Sequence, residues 1–333
     1  MNLYLSLIIC TYKRAESLAK LLKTLGDQTC YPNDIIIVDG SPDDFTKTLI
    51  AQTHYPNLRY YKVEPHQRGL TKQRNIGVGL CDKNTDIVAF LDDDTELFND
   101  YFEELIKVYQ LNPEITGVGG VAVNENRWVK ISKNQEHKNC FIIDDFKIKL
   151  SSRYRFRKML GLMSKLPPGK MPKFSHGNTQ SYPLSGNFYE VDLIVGMSMS
   201  FRTKIVLNQK FSEYFEGYGL YEDADYSIRA LEYGKNVIAT SVKLNHHHHP
   251  SGRPNQFKYG QMVVRNGWYV WRTRWPNPGF KNILKWHANV LLLTTLRFLN
   301  VLTTNQKKQA LTEAVGRLTA WSKLFFITPK FNN

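Results

Sequence analysis

"DIVAFLDDDTE", residues 86–96, is an apolar run that turns into three consecutive aspartates. Ile87 to Leu91 has the length and composition of a buried strand, flanked by acids at both ends. Three adjacent carboxylates repel one another unless positive charge sits among them. Asp92 and Asp94 are spaced so that an extended backbone presents both carboxylates on one side. Oxygen ligands of that kind hold a divalent cation.

The flanks of this stretch repeat its pattern. "LYLSLIIC" (3–10), "DIIIVD" (34–39) and "LRYYKV" (58–63) read as further strands. Residues 14–26 carry Leu18, Leu21, Leu22 and Leu25 at helical spacing, with Gly26 suited to the C-cap. "SPDD" (41–44) opens another helix, and residues 69–80 read as a third. Strand and helix in alternation predict an α/β fold, a mostly parallel central sheet with helices on both faces. In such sheets ligands bind beyond the carboxyl ends of the strands. Thr11-Tyr12, Asp39-Gly40-Ser41 and Asp92-Asp93-Asp94 all stand at such ends, so three polar groups should meet in one crevice.

Residues 127–190 read as irregular, with Pro167-Pro168-Gly169 and a stretch rich in Gly, Asn, Ser and Pro. "VDLIVGMSMSF" (191–201) reads as a strand, 222–233 as a helix stopped by Gly234, and "NVIATSVKL" (236–244) as a strand. Beyond Pro250 the patterns are helical and rich in aromatics. Two further clusters carry chemistry. Glu222 and Asp223 stand at a helix start, where a carboxylate complements the helix dipole with or without a catalytic role. "NHHHHP" (245–250) follows a strand, and imidazole is a frequent metal ligand. One strand-end histidine, with Asp92 and Asp94, would complete a metal site. His246 and His248 share a strand face if the strand persists that far, and the four histidines 246–249 cannot all be ligands.

The formal net charge is +14, and it is unevenly placed. Residues 1–126 carry 12 Lys and Arg against 18 acids, residues 127–173 carry 13 against 3, and residues 253–333 carry 13 against 1. A basic surface attracts nucleic acid, anionic lipid or an anionic substrate. The four cysteines are widely spaced without a Cys-x-x-Cys pair, which predicts reduced thiols in a cytosolic protein. The N-terminus has no basic region followed by a cleavage site, and no signal peptide is expected.

The motifs, in their order, resemble family 2 glycosyltransferases with the GT-A nucleotide-sugar-binding fold. "LIICTYKR", "IIIVDGSPDD", "RGLTKQRNIGV", "VAFLDDDTEL", "VDLIVGMSMSFRTKI", "YEDADYSIRALEYGK" and "LNHHHHPSGR" carry the likeness over roughly residues 3–275. "DGSPDD" stands where the family's usual run is "DNGSTD". The resemblance implies an inverting, metal-dependent transfer of sugar from a nucleotide-diphosphate sugar donor to a hydroxyl of a glycan or lipid-linked acceptor. It implies Asp223 as general base with Glu222 beside it. The nucleotide-binding set is Thr11, Tyr12, Arg14, Asp39, Arg74, Asp92 and Asp93. The ligands of Mn2+ or Mg2+ come from Asp94, Asp92, His246 and His248. The expected organisation is a catalytic domain over 1–252, with a nucleotide-binding half to about residue 125 and an acceptor-side half from 126, then a basic, aromatic-rich helical extension over 253–333.

The alternatives are a nucleotidyltransferase, which would use a similar aspartate pair, and a nucleic-acid-binding protein using the basic arms and Trp268, Trp271, Trp275 and Trp286. The acidic crevice argues against nucleic acid as a partner. Residues 281–303 are apolar but broken by Lys285 and Arg297, too short an uncharged run to span a bilayer. They are expected either to pack on protein, in this chain or in a homo-oligomer, or to lie on an anionic membrane surface, at the inner face of the membrane for a cytoplasmic protein.

Overall fold

The structure is a computed structural model that describes residues 3–52, 54–132, 139–178, 181–248 and 254–329. The chain begins β1 (Leu5–Thr11), α1 (Ala15–Gly26), β2 (Asp34–Asp39), α2 (Phe45–Ala51), β3 (Leu58–Lys62), α3 (Leu70–Gly79) and β4 (Ile87–Asp92). The expected alternation of strand and helix is present, and β2 has the bounds read from the sequence. Leu18, Leu21, Leu22 and Leu25 of α1 are all buried on the inner strands, as their spacing requires. Gly26 is the last helical residue, and Asp27 takes the cap. Then follow β5 (Thr95–Leu97), α4 (Tyr101–Leu111), β6 (Ile115–Ala122), β7 (Val129–Lys130), β8 (Cys140–Ile143), β9 (Phe146–Lys149) and α5 (Ser152–Met159). The chain continues through β10 (Phe188–Val191), β11 (Ser198–Arg202), α6 (Thr203–Asn208), α7 (Glu222–Ala230), β12 (Lys235–His246), α8 (Gln256–Arg274), α9 (Phe280–Leu299) and α10 (Lys307–Lys323).

Nine strands among the described residues form one sheet in the order β10-β12-β6-β11-β4-β1-β2-β3, with β5 paired to β12. β4, β1, β2 and β3 run parallel, β6 and β12 run parallel, and β11 lies antiparallel between β4 and β6. Register decides where the polar ends fall. Thr11 stands opposite Asp39, and Cys10 opposite Asp92, so β1, β2 and β4 finish on one edge of the sheet. Because β11 is antiparallel, its beginning lies at that same edge, and Asp92 N–H donates to the Met197 carbonyl at 3.3 Å.

Two readings need correction. Residues 127–190 hold a small sheet in the order β7-β9-β8 and the helix α5, where irregular chain was expected. The hairpin between β8 and β9 turns at Asp144, whose φ of 51° is in the left-handed region that short turns use. The strand read at 191–201 is two strands, β10 and β11, separated by a turn at Gly196. By compactness, residues 1–126 and 181–253 form one unit, and the segment 127–180 joins 254–333 in another. Side chains tie it to the C-terminal helices: Arg157 donates to Asn289 at 2.9 Å, and the Trp271 indole donates to the Lys173 carbonyl at 3.0 Å. Tryptophan and arginine buried there need those polar partners.

Candidate functional site

The site is built within the first unit, at the edge where the parallel strands end. Asp39 is fully buried, and its carboxylate accepts from the Ser41 N–H at 2.7 Å and the Tyr60 hydroxyl at 2.8 Å. Lys13 N–H donates to the Ser41 hydroxyl at 2.8 Å, which ties the loop after β1 to the loop after β2. The Gln73 amide donates to the carbonyls of Thr11 and Val38, locking α3 to the same two strand ends. Tyr12 presents an exposed ring beside them.

The central aspartate has its positive partner inside the protein. Asp93 accepts from the Thr11 hydroxyl at 2.7 Å and from Arg14 Nη1 at 3.0 Å. Arg14 also stands 3.5 Å from Asp94. Burial pushes the Asp93 carboxyl up to about 6, against the pull of Arg14 and Thr11. Asp93 is thus committed to holding Arg14 and Thr11. Asp92 and Asp94 form a different group with His246, in which donor atoms of all three lie within 4.8 Å of one another. Two carboxylates and an imidazole are a donor set that could hold a divalent cation.

His246 is placed with care. It is the last residue of β12, paired with Thr95 of β5. Asn124 clasps its backbone, accepting from the His246 N–H at 3.0 Å and donating to its carbonyl at 2.7 Å. The ring turns Nε2 toward Asp94 at 3.4 Å and Nδ1 toward Glu125 at 3.0 Å. The next histidines go elsewhere: His247 faces Glu96 at 3.2 Å, and His248 reaches Glu125 at 2.8 Å. His248 lies beyond the strand with φ of 50°, so the shared strand face expected for 246 and 248 ends at 246. Glu125 also brings His246 and His248 into a second group of donor atoms within 4.8 Å. His249 lies outside the described residues.

The acidic helix start faces the same edge. Arg74, 2% exposed, is paired with Glu222, and reaches Asp92 and the Gly196 carbonyl at 3.3 Å each. Burial works against the Arg74 charge, but Glu222 and Asp92 outweigh it and hold the guanidinium protonated. Burial likewise pushes the Glu222 carboxyl upward, with Arg74 pulling it back. Asp223 is only half-buried. One of its oxygens accepts from the Gly196 N–H at 2.8 Å, the other from the Ala224 N–H at 2.8 Å. Burial is the main cause that raises its pKa, and those two donors oppose it.

Thr11, Arg14, Asp39, Arg74, Asp92, Asp93, Asp94, Glu222, Asp223 and His246 are therefore joined by short links at one sheet edge. Sequence reasoning missed Glu125, Asn124 and Gly196. The first two follow β6, whose "ITGVGGVA" has too many glycines to read as a strand. Recognising that strand would have marked its carboxyl end as a fourth source of site residues.

Residues 6–169 match the family model for glycosyl transferase family 2. The glucosyl-dolichyl phosphate glucuronosyltransferase of Haloferax volcanii is 30% identical over 129 residues, 37% of this chain and 39% of that protein. The GalNAc(5)-diNAcBac-PP-undecaprenol beta-1,3-glucosyltransferase of Campylobacter jejuni is 29% identical over 105 residues, 31% of this chain and 33% of that one. The chain thus spans less than half the length of these curated relatives. Among solved structures, mannosyltransferase PcManGT from Pyrobaculum calidifontis, in complex with GDP-Man and Mn2+, has a TM-score of 0.54 at 14% identity. That likeness covers 98% of this chain and 88% of that one, and it is a likeness of fold. Residues 6–169 thus carry the match to glycosyl transferase family 2, and the fold of the chain is the GT-A fold.

Proposed function

We propose that this protein is an inverting glycosyltransferase that moves a sugar from a nucleotide-diphosphate sugar to a hydroxyl of a lipid-linked or glycan acceptor. The observation that carries the reading is the convergence of Asp92, Asp94 and His246 within 4.8 Å at the strand ends, with Arg74 joining Asp92 to the Glu222–Asp223 helix start. Asp39, Thr11, Tyr12 and Arg14 border the place where a nucleotide would lie at the end of β1 and β2. Asp92, Asp94 and His246 would hold Mn2+ or Mg2+, which when bound offsets negative charge on the departing diphosphate.

The Asp223 carboxylate does the proton work. As the acceptor oxygen bonds to the anomeric carbon, the bond from that carbon to the diphosphate oxygen breaks. The hydroxyl proton passes to Asp223. A base poised above the ordinary aspartate range accepts it more readily than a free carboxylate does. Glu222 clamps Arg74, which fixes Asp92 and the Gly196 turn around the base. The dolichyl phosphate and undecaprenol in the names of the two relatives support a lipid-linked acceptor.

The test is a thermal-shift panel of UDP-, GDP- and dTDP-sugars with and without Mn2+, followed by product analysis. One donor class should raise Tm only with metal, since a ligand selective for the folded state stabilises it. Transfer should release a nucleoside diphosphate. Release of pyrophosphate would instead identify a nucleotidyltransferase, and no metal-dependent shift with any donor would overturn the site.

A further inference from the structure

Helix α9 carries apolar residues on its outer side as well as its inner one. Asn289 and Thr294 are buried beside Trp286, whereas Phe280, Leu284, Leu291 and Phe298 are exposed, and Leu302 just beyond the helix is 80% exposed. Those five apolar residues recur at intervals of four or seven, which aligns them on one face of a helix. The packing needs of the unit are met on the other side. Trp286 stacks on Trp271 at 5.4 Å between ring centroids, and the Trp321 indole donates to His287 at 3.0 Å. α8 and α10 cross so closely that a Cβ on Gly260 would stand 2.2 Å from the Glu313 carbonyl oxygen. The outer row of α9 takes no part in this core.

The segment that carries that row, residues 253–333, has 13 Lys and Arg against one acid. The single acid in residues 253–333 is Glu313, 5% exposed and held by Arg297 at 2.7 Å and Arg317 at 2.6 Å. Lys281, Lys307, Lys308 and Lys323 are exposed. Two copies meeting through this surface would bring like charges together. An anionic bilayer would neutralise them and cover the apolar row at once. No helix among the described residues is long and apolar enough to cross a membrane.

We propose that the outer face of α9 docks this chain on an anionic lipid surface, with the helix lying along the headgroup boundary. The inference deepens the lipid-linked acceptor reading, because a hydroxyl carried on a lipid is reached from such a surface. Its evidence is independent of that reading.

The test uses the full chain and unilamellar vesicles of phosphatidylcholine, alone or with one quarter phosphatidylglycerol. Co-sedimentation should require the anionic lipid and fall at least about tenfold between low and high salt, as the lysine charges are screened. Lys281→Gln and Lys308→Gln should each lower the partition coefficient about fivefold. The triple variant Leu284→Ser, Leu291→Ser, Phe298→Ser should lose binding with its Tm intact, and Phe298→Ser alone serves if the triple variant is less stable. Wild-type protein that stays in the supernatant at low salt overturns the proposal. So does equal binding by the serine variants, or a dimer that those variants dissolve without any vesicle binding. If vesicle binding fails but a lipid-linked acceptor in detergent is glycosylated, the docking falls and the acceptor reading stands. Vesicle binding without transfer to any lipid-linked acceptor separates them the other way.

Discussion

Replacing Asp223 by Asn removes the proposed base at the cost of a single hydrogen bond. The two carboxylate oxygens accept from the N–H groups of Gly196 and Ala224. Asn has one acceptor oxygen, so one of these bonds is lost, a cost of about 0.5–1.5 kcal/mol. An opposing effect comes from ionisation. The folded-state pKa of Asp223 is raised, so its contribution to stability is full at low pH and is lost as pH rises through that pKa. The neutral Asn escapes that loss, and the variant should compare better with wild type at pH 8 than at pH 4. The net change in Tm should stay within about 4–6 °C, given roughly 2–4 °C per kcal/mol for a unit of this size. Activity should respond far more. Loss of general-base assistance predicts a fall in kcat of about 10²–10⁴-fold, with donor affinity unchanged. Wild-type kcat should also decline on the acid side with a midpoint above the ordinary aspartate range, and the variant should lack that limb. The assay is release of nucleoside diphosphate at saturating acceptor across pH, with donor affinity by calorimetry. Turnover within threefold of wild type, or an unchanged acid limb, would refute the assignment.

Asp94→Asn and His246→Ala should each weaken Mn2+ binding at least about tenfold, read by the paramagnetic signal of free Mn2+, while His247→Ala, whose ring faces Glu96, should change it little. Glu125→Gln should weaken Mn2+ binding by about 10–100-fold, because Glu125 faces His246 Nδ1 at 3.0 Å and a proton held on that nitrogen leaves Nε2 free to ligate; nitrogen-15 shifts of the ring should report the changed tautomer in metal-free protein. Arg74→Met leaves Glu222 buried without its partner and should cost about 3–5 kcal/mol, measured by denaturant unfolding at neutral pH. The double variant with Glu222→Leu should recover part of that loss, and additive losses would show that the pair is not coupled.

Strand and helix in the first hundred residues were legible because each element states its own period. Buried parallel strands are short apolar runs, as in β2 and β4, and α1 spaces its leucines for one buried face. The strand ends were legible for the same reason: polar residues stop those runs at Thr11, Asp39 and Asp92. The strand β6 was not, since its three glycines pack where a side chain would collide; a Cβ on Gly117 would meet the Asn236 side chain at 2.4 Å. Such glycines answer to neighbours distant in sequence and carry no local signal.

Residue types, their order and the places where strands stop are properties of the chain itself, and they sufficed to indicate the fold, the aspartate pair and the acidic helix start. Which histidine stands with the aspartates was decided by the pairing of β12 with β5 and by the grip of Asn124, 122 residues away from His246 along the chain. The partner of Asp93 is Arg14, and that of Glu222 is Arg74, at separations of 79 and 148 residues. A charge can be recognised in sequence, but its partner is chosen by three-dimensional distance, since a buried carboxylate must be matched wherever the chain brings a cation within reach. The exposed row of α9 has the same origin: the sequence shows a helix apolar on more than one side, and only the packing of Trp271, Trp286 and Trp321 decides which row is turned outward.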